Sequence, residues 1–215
     1  MSDVAEATRL VLIVPPRPDL ERFESRLEEA LAAGDIAAVL MAGGAGDKAA
    51  DAAAACLVPI IQSAGAAALI ADDARLACRA KADGVHVTTG LDDLRLAIES
   101  FRPKRIVGAG NLTSRHVAMQ AGELEPDYVF FGRPHGDTHD APHPKGLELA
   151  EWWSELMQSP AVMMAGRSLD SVAEAAATGA AFVAVHEAVW AHADGPGDAI
   201  RLALAALGQT GRRAA

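Results

Sequence analysis

Two aspartates at the end of an apolar run are the first residues placed to do chemistry. Ala67–Ala71 (A-A-L-I-A) stops at Asp72 and Asp73. An alanine-rich helical pattern follows through Leu76, Ala77 and Ala80, and a second apolar run, Gly84–Val87, carries His86. Strand, helix and strand within about twenty residues make a βαβ unit with parallel strands. Proteins of this class place their reactive groups just past the carboxyl ends of such strands, where Asp72 and the segment after His86 stand. The competing role is helix capping, for which Asp is favoured; it applies to either acid. A second polar cluster lies in Pro134–Lys145, P-H-G-D-T-H-D-A-P-H-P-K, where His135, His139 and His143 recur at i, i+4, i+8. On a helix that spacing would align three imidazoles for zinc, but Pro134, Gly136, Pro142 and Pro144 rule out a regular helix. Surface polarity, anion contact and a metal site are the readings left for this loop. Arg133, at a strand end with an apolar run behind it, would offer fixed donors to phosphate or carboxylate in a barrel mouth.

Bulk properties fix the frame that must hold these groups. The chain has 215 residues, 51% of them hydrophobic, enough for one buried core. A (β/α)8 barrel averages about 250 residues and can be as short as about 200, so this would be a compact one. A net charge of −10, with no basic block before Arg212-Arg213, argues against nucleic acid or anionic membrane as main partner. Cys56 and Cys78 sit in alanine-rich helical patterns and read as buried free thiols. No apolar run approaches the roughly 18 residues of a membrane span and no signal layout opens the chain, so a cytoplasmic location is expected.

In chain order, residues 1–8 read as a loose leader. Leu10–Val14 is a strand and Leu20–Ala33 a helix; Ile36–Met41 is a strand ending in the glycine loop 42–46. That loop could cradle an anion on backbone N–H groups, yet it lacks a nucleotide fingerprint and reads as a flexible turn. Asp47–Ala64 is helical with an interruption near Pro59. After the βαβ unit come a helix over Leu91–Ser100, a strand over Arg105–Val107, and a helix over Thr113–Ala121 with Thr113 as N-cap. Tyr128–Phe131 is a strand, Leu147–Gln158 a helix, Ala161–Met164 a strand, Ser168–Thr178 a helix and Phe182–Val185 the last strand. Short helices over Glu187–His192 and Ala199–Leu207 precede a loose tail, 209–215. Eight strand–helix units with no break in composition predict a single (β/α)8 TIM barrel. Ile13, Leu40, Ile70, Val85, Val107, Phe130, Met163 and Val183 should each come from a separate strand of it.

The pieces L-I-A-D-D-A-R-L-A, A-D-G-V-H-V, I-V-G-A-G, D-Y-V-F-F-G, K-G-L-E and A-G-R-S-L-D-S-V-A-E-A-A-A-T-G-A-A-F-V-A-V resemble thiamine-phosphate synthase and its TenI-type thiazole tautomerase relatives. The resemblance runs from Leu10 to Leu207. It implies a (β/α)8 barrel in thiamine biosynthesis that joins an aminopyrimidine diphosphate to a thiazole phosphate with Mg2+. A small phosphorylated or heteroaromatic partner follows, and a homodimer is left open. Asp72 falls on the family's magnesium-binding aspartate, with Asp92 or Asp93 as the second carboxylate. Gly110 stands in place of a serine after the fifth strand, and Thr138 and Lys145 lie near a threonine-lysine loop. Gly166 belongs to the phosphate cup after the seventh strand.

Several positions depart from the family. Its strand-two glutamine, arginine and lysine are replaced by Gly43-Gly44-Ala45. Arg167 and the pair His186-Glu187 replace an isoleucine and a valine-serine pair at the cup, and a carboxylate there would repel phosphate. These departures predict reduced or lost synthase activity; Arg167 and Glu187 would either pair at the cup or turn outward so that they never meet. An isomerase or tautomerase using His135 or His186 as general base, with Arg133 beside them, is the alternative. A non-catalytic binding barrel is the third reading.

Overall fold

The computed structural model describes residues 7–44, 46–134 and 139–213, with side chains to residue 208. The apolar runs form eight short parallel strands: β1 (Arg9–Ile13), β2 (Ile36–Met41), β3 (Ala67–Ala71), β4 (Gly84–Val87), β5 (Ile106–Ala109), β6 (Tyr128–Phe131), β7 (Ala161–Met164) and β8 (Phe182–Val185). Between them run α1 (Leu20–Ala32), α2 (Lys48–Ser63), α3 (Ala74–Ala80), α4 (Leu91–Phe101), α5 (Arg115–Gly122), α6 (Pro144–Leu156) and α7 (Ser171–Ala176). After β8 come α8 (Glu187–Trp190) and α9 (Pro196–Arg213). The strands pair in sequence order and β8 returns to β1, which closes the barrel.

Continuous apolar runs suit strands covered on both sides. On β1, Leu10 and Leu12 pack outward among the helices, while Val11 and Ile13 point into the barrel. The eight anticipated core residues do lie on eight different strands. Ile13, Leu40 and Phe130 fill the interior; Ile70, Val85, Val107, Met163 and Val183 face the helices. No helix among the described residues is long and apolar enough to cross a membrane.

The helices depart from expectation at identifiable places. α2 runs unbroken through Pro59: Leu57, Val58 and Ile61 are buried on its inner face, which offsets the roughly 3 kcal/mol cost of an interior proline. α5 is capped by Ser114, whose hydroxyl accepts from the Val117 N–H at 3.3 Å, rather than by Thr113. α6 begins at Pro144 inside the stretch read as irregular, because proline needs no N–H donor in a first turn. α7 is shorter than anticipated, and α9 longer.

Neither cysteine is buried: Cys56 is half-buried and Cys78 exposed. Desolvation and the Glu24 carboxylate, 2.8 Å from Cys56 Sγ, push the Cys56 thiol up to about 11. Since thiolate is the nucleophile, iodoacetamide at pH 8 should label Cys56 several-fold more slowly than Cys78. Peptide mass spectrometry over time would check this, and equal rates would contradict it.

Candidate functional site

The two aspartates after β3 divide the roles the sequence left open between them. Asp73 is buried, and its carboxylate accepts the Leu76 N–H at 2.8 Å as the N-cap of α3. Asp72 adopts a left-handed φ of 53° and stays exposed at the barrel mouth. Its two oxygens accept from the Thr88 N–H at 2.6 Å and the Thr88 hydroxyl at 2.5 Å, while its own N–H donates to the His86 carbonyl at 2.9 Å. The end of β4 therefore holds this carboxylate in one orientation. Asp73→Ala should cost about 1 kcal/mol as a lost cap, read as a drop of roughly 2–4 °C in melting temperature; an unchanged melt would show that the cap is dispensable.

Asp92 and Asp93 lie in the first turn of α4, both exposed, and Asp92 is 3.9 Å from Arg95. Neither lines the cavity that Asp72 lines. No group of three His, Cys, Asp or Glu among the described residues is arranged around a metal position. Gly43, expected in a flexible turn, is instead a close-packing position. A β-carbon there would overlap the Ala71 carbonyl and come within 2.9 Å of the Asp73 β-carbon.

Two adjoining cavities open at the carboxyl end of the strands. One of about 310 Å3 is bordered by Gly43, Asp72, Thr88 and Arg133. The other, of about 470 Å3, is bordered by Arg133, His139, His143 and Lys145. Arg133, Asn111 and Gly132 belong to both, so the carboxylate side and the cationic side form one mouth. Arg133 leaves β6 through Gly132, whose φ of 113° suits glycine. Lys145 stands in the first turn of α6, where the His143 ring Nδ1 accepts the Lys145 backbone N–H at 3.2 Å. Neither Arg133 nor Lys145 forms an ion pair among the described residues. Cations bordering a cavity in a chain of net charge −10 are the groups that could receive an anion. Of the histidine loop, His139 and His143 reach this cavity; His135 and Thr138 lie outside the described residues.

Sequence reasoning missed His86 as a barrel-interior residue. It is fully buried, its Nδ1 lies 3.0 Å from the Tyr128 hydroxyl, and the two rings are parallel within 2°. Phe130 meets the imidazole edge-on at 5.3 Å between centroids. Burial, with the Asp127 charge second, holds the Tyr128 phenol far above its ordinary range, so it remains a protonated hydroxyl. Period-two alternation along β4 and the pairing of His86 with Gly108 are the signals that place it inside. Gly110 follows from this: a β-carbon there would stand 2.5 Å from His86 Nε2. Its lack of a side chain makes room for the imidazole.

At the same carboxyl-end rim, Arg167 and Glu187 project from the ends of β7 and β8 and pair at 3.2 Å, each side chain about half-exposed. Of the two arrangements left open, the ion pair is the one that forms. His186, half-buried, is the N-cap residue of α8 and makes no side-chain cap bond. Gly166 is buried, and its N–H donates to Ser171 Oγ at 2.8 Å.

The profile of the thiamine monophosphate synthase family matches residues 10–189 of this chain. A thiamine-phosphate synthase of Hyphomonas neptunium is 39% identical over 94% of this chain and 96% of its own length. One of Rhodospirillum centenum is 38% identical over 89% and 94%. Among solved structures, thiamine phosphate pyrophosphorylase of Pyrococcus furiosus superposes with a TM-score of 0.76, covering 97% of this chain and 99% of that one. At 22% identity that likeness speaks for the barrel alone.

Proposed function

The chain belongs to the thiamine monophosphate synthase family, and on that premise we propose that it joins an aminopyrimidine diphosphate to a thiazole in the barrel mouth. The observation that carries this is the pair Arg133 and Lys145, cations without ion-pair partners among the described residues, facing a cavity continuous with Asp72. In the reaction, the bond between the pyrimidine methylene carbon and the diphosphate oxygen breaks, and its electron pair leaves with the diphosphate. The thiazole ring nitrogen gives its lone pair to that carbon, and the positive charge ends on the thiazolium. No proton moves, so no general base is required. What the protein must supply is fixed positive charge where negative charge develops. Arg133 can grip two diphosphate oxygens at once, and Lys145 can add a point charge beside the α6 N-terminus.

Mg2+ fits the carboxylate side. Magnesium is ordinarily held by one or two carboxylates together with substrate phosphates and water. Asp72 accepts two hydrogen bonds from Thr88 and keeps further lone pairs. It would be the principal protein ligand, with diphosphate oxygens and water completing the shell, since Asp92 and Asp93 do not line its cavity. Bound there, the ion would neutralise charge on the leaving diphosphate.

Calorimetric titration of the protein with aminopyrimidine diphosphate and Mg2+ tests the reading. Saturable binding that inorganic pyrophosphate competes away is the expected result. A titration with no binding at any accessible concentration would sink it.

A further inference from the structure

Asp72 is the sole carboxylate among the described residues that border the smaller cavity, so the hold on a divalent cation there depends on how this one side chain is kept. An exposed aspartate ordinarily samples several rotamers, and fixing one of them opposes binding. Asp72 is exposed, yet it is fixed in advance by Thr88, the residue that directly follows β4. The Thr88 N–H donates to one carboxylate oxygen at 2.6 Å and its hydroxyl to the other at 2.5 Å. With a donor on each oxygen, the carboxylate cannot turn about its last bond, and each oxygen still keeps a lone pair. Thr88 is braced in turn. The Asn111 side-chain amide donates to the Thr88 carbonyl at 3.2 Å, and the Gly110 N–H donates to the neighbouring Val87 carbonyl at 2.8 Å. The loops after β3, β4 and β5 therefore meet at this residue, and Asp72, Thr88 and Asn111 all border the same cavity. Helix capping does not account for the hydroxyl, because the N-cap of α4 is Gly90, which makes no side-chain cap bond.

We propose that Thr88 is a positioning residue for the magnesium carboxylate: its hydroxyl, together with its N–H, presets Asp72 in the orientation that receives Mg2+. Thr88 acts through Asp72 and does not itself hold the ion. The inference rests on the reading of Asp72 as the protein ligand of Mg2+ in the proposed diphosphate site.

The test compares the full-length parent with Thr88→Ala, Thr88→Ser and Asp72→Asn, each titrated by calorimetry with aminopyrimidine diphosphate in the presence and absence of Mg2+. The ratio of the two affinities reads what the ion adds. Removing a group that orients a metal ligand ordinarily costs about ten- to hundredfold in metal affinity. The Thr88 N–H survives substitution, so Thr88→Ala should lower the ratio by about tenfold, the small end of that range. Affinity without Mg2+ should match the parent, because Arg133 and Lys145 are untouched. Thr88→Ser returns the hydroxyl and should return the ratio. An unchanged or larger ratio in Thr88→Ala, or a fall that Thr88→Ser does not reverse, would overturn the inference. So would a loss shared equally by the two affinities, which would show that the hydroxyl only keeps the shape of the mouth. If Asp72→Asn abolishes the effect of Mg2+ while Thr88→Ala leaves it whole, the positioning role alone is refuted. If Asp72→Asn keeps the parent's ratio, or the parent binds no aminopyrimidine diphosphate, the reading of the site falls and takes this inference with it.

Discussion

Replacing Arg133 and Lys145 together by alanine is expected to weaken binding of aminopyrimidine diphosphate by at least about two orders of magnitude. A hydrogen bond to a charged group contributes roughly 1.5–3 kcal/mol, so two lost contacts exceed the approximately 2.7 kcal/mol that a hundredfold change requires. The charge argument points the same way. Both residues border the mouth of a chain whose net charge is −10, so their removal leaves Asp72 as the dominant local charge. The double variant should keep its fold, because both side chains are exposed. Calorimetry on the variant and the parent checks the prediction. Equal affinities would show that the diphosphate sits elsewhere.

The second large effect is expected on the same rim, after β7 and β8. Glu187→Ser removes a carboxylate and releases Arg167, now held at 3.2 Å. At an intermediate effective dielectric, two unit charges about 4 Å apart interact by roughly 4 kcal/mol. Both side chains are about half-exposed, so solvent and salt screen most of that. A rise of roughly tenfold in affinity for inorganic phosphate, about 1.4 kcal/mol, is the expected remainder. The gain stops there because the Arg167 and Ser168 N–H groups still donate to His139 and Asp140. Titration at two salt concentrations should show the gain shrinking as salt rises. Unchanged phosphate affinity would mean that Glu187 does not guard the rim.

The barrel was legible because each strand carries its own apolar run, from Leu10–Ile13 through Phe182–Val185, and eight such runs close a sheet. The Arg167–Glu187 pair was legible too, since two residues at the ends of neighbouring strands share a rim. Other features had no signal in residue type alone. Asp72 and Asp73 are the same residue in adjacent positions, and only the left-handed turn at Asp72 decides which one caps α3. Pro144 reads as a breaker in a proline-rich stretch, yet at the first position of a helix it is a starter. The backbone hydrogen bonds that tie up the β7 turn are invisible in sequence for a different reason. Their acceptors are the backbone carbonyls of His139 and Asp140, and every residue has one. Gly43, by contrast, is conspicuous in sequence but was misread: its missing side chain admits the Ala71 carbonyl.

Turnover should be slow. The strand-two positions that the resemblance assigns to glutamine, arginine and lysine hold Gly43-Gly44-Ala45 here, and one lost transition-state donor can cost roughly 2.7–4 kcal/mol. On the proposed reading, Arg133 and Lys145 would replace part of that charge from their side of the mouth. The most direct measurement is release of pyrophosphate from aminopyrimidine diphosphate by the purified protein with Mg2+, with and without a thiazole. Slow release that requires the thiazole and disappears in the Arg133→Ala/Lys145→Ala variant is the expected result. Release that ignores the thiazole, release that survives in the variant, or no release with any thiazole offered would contradict it.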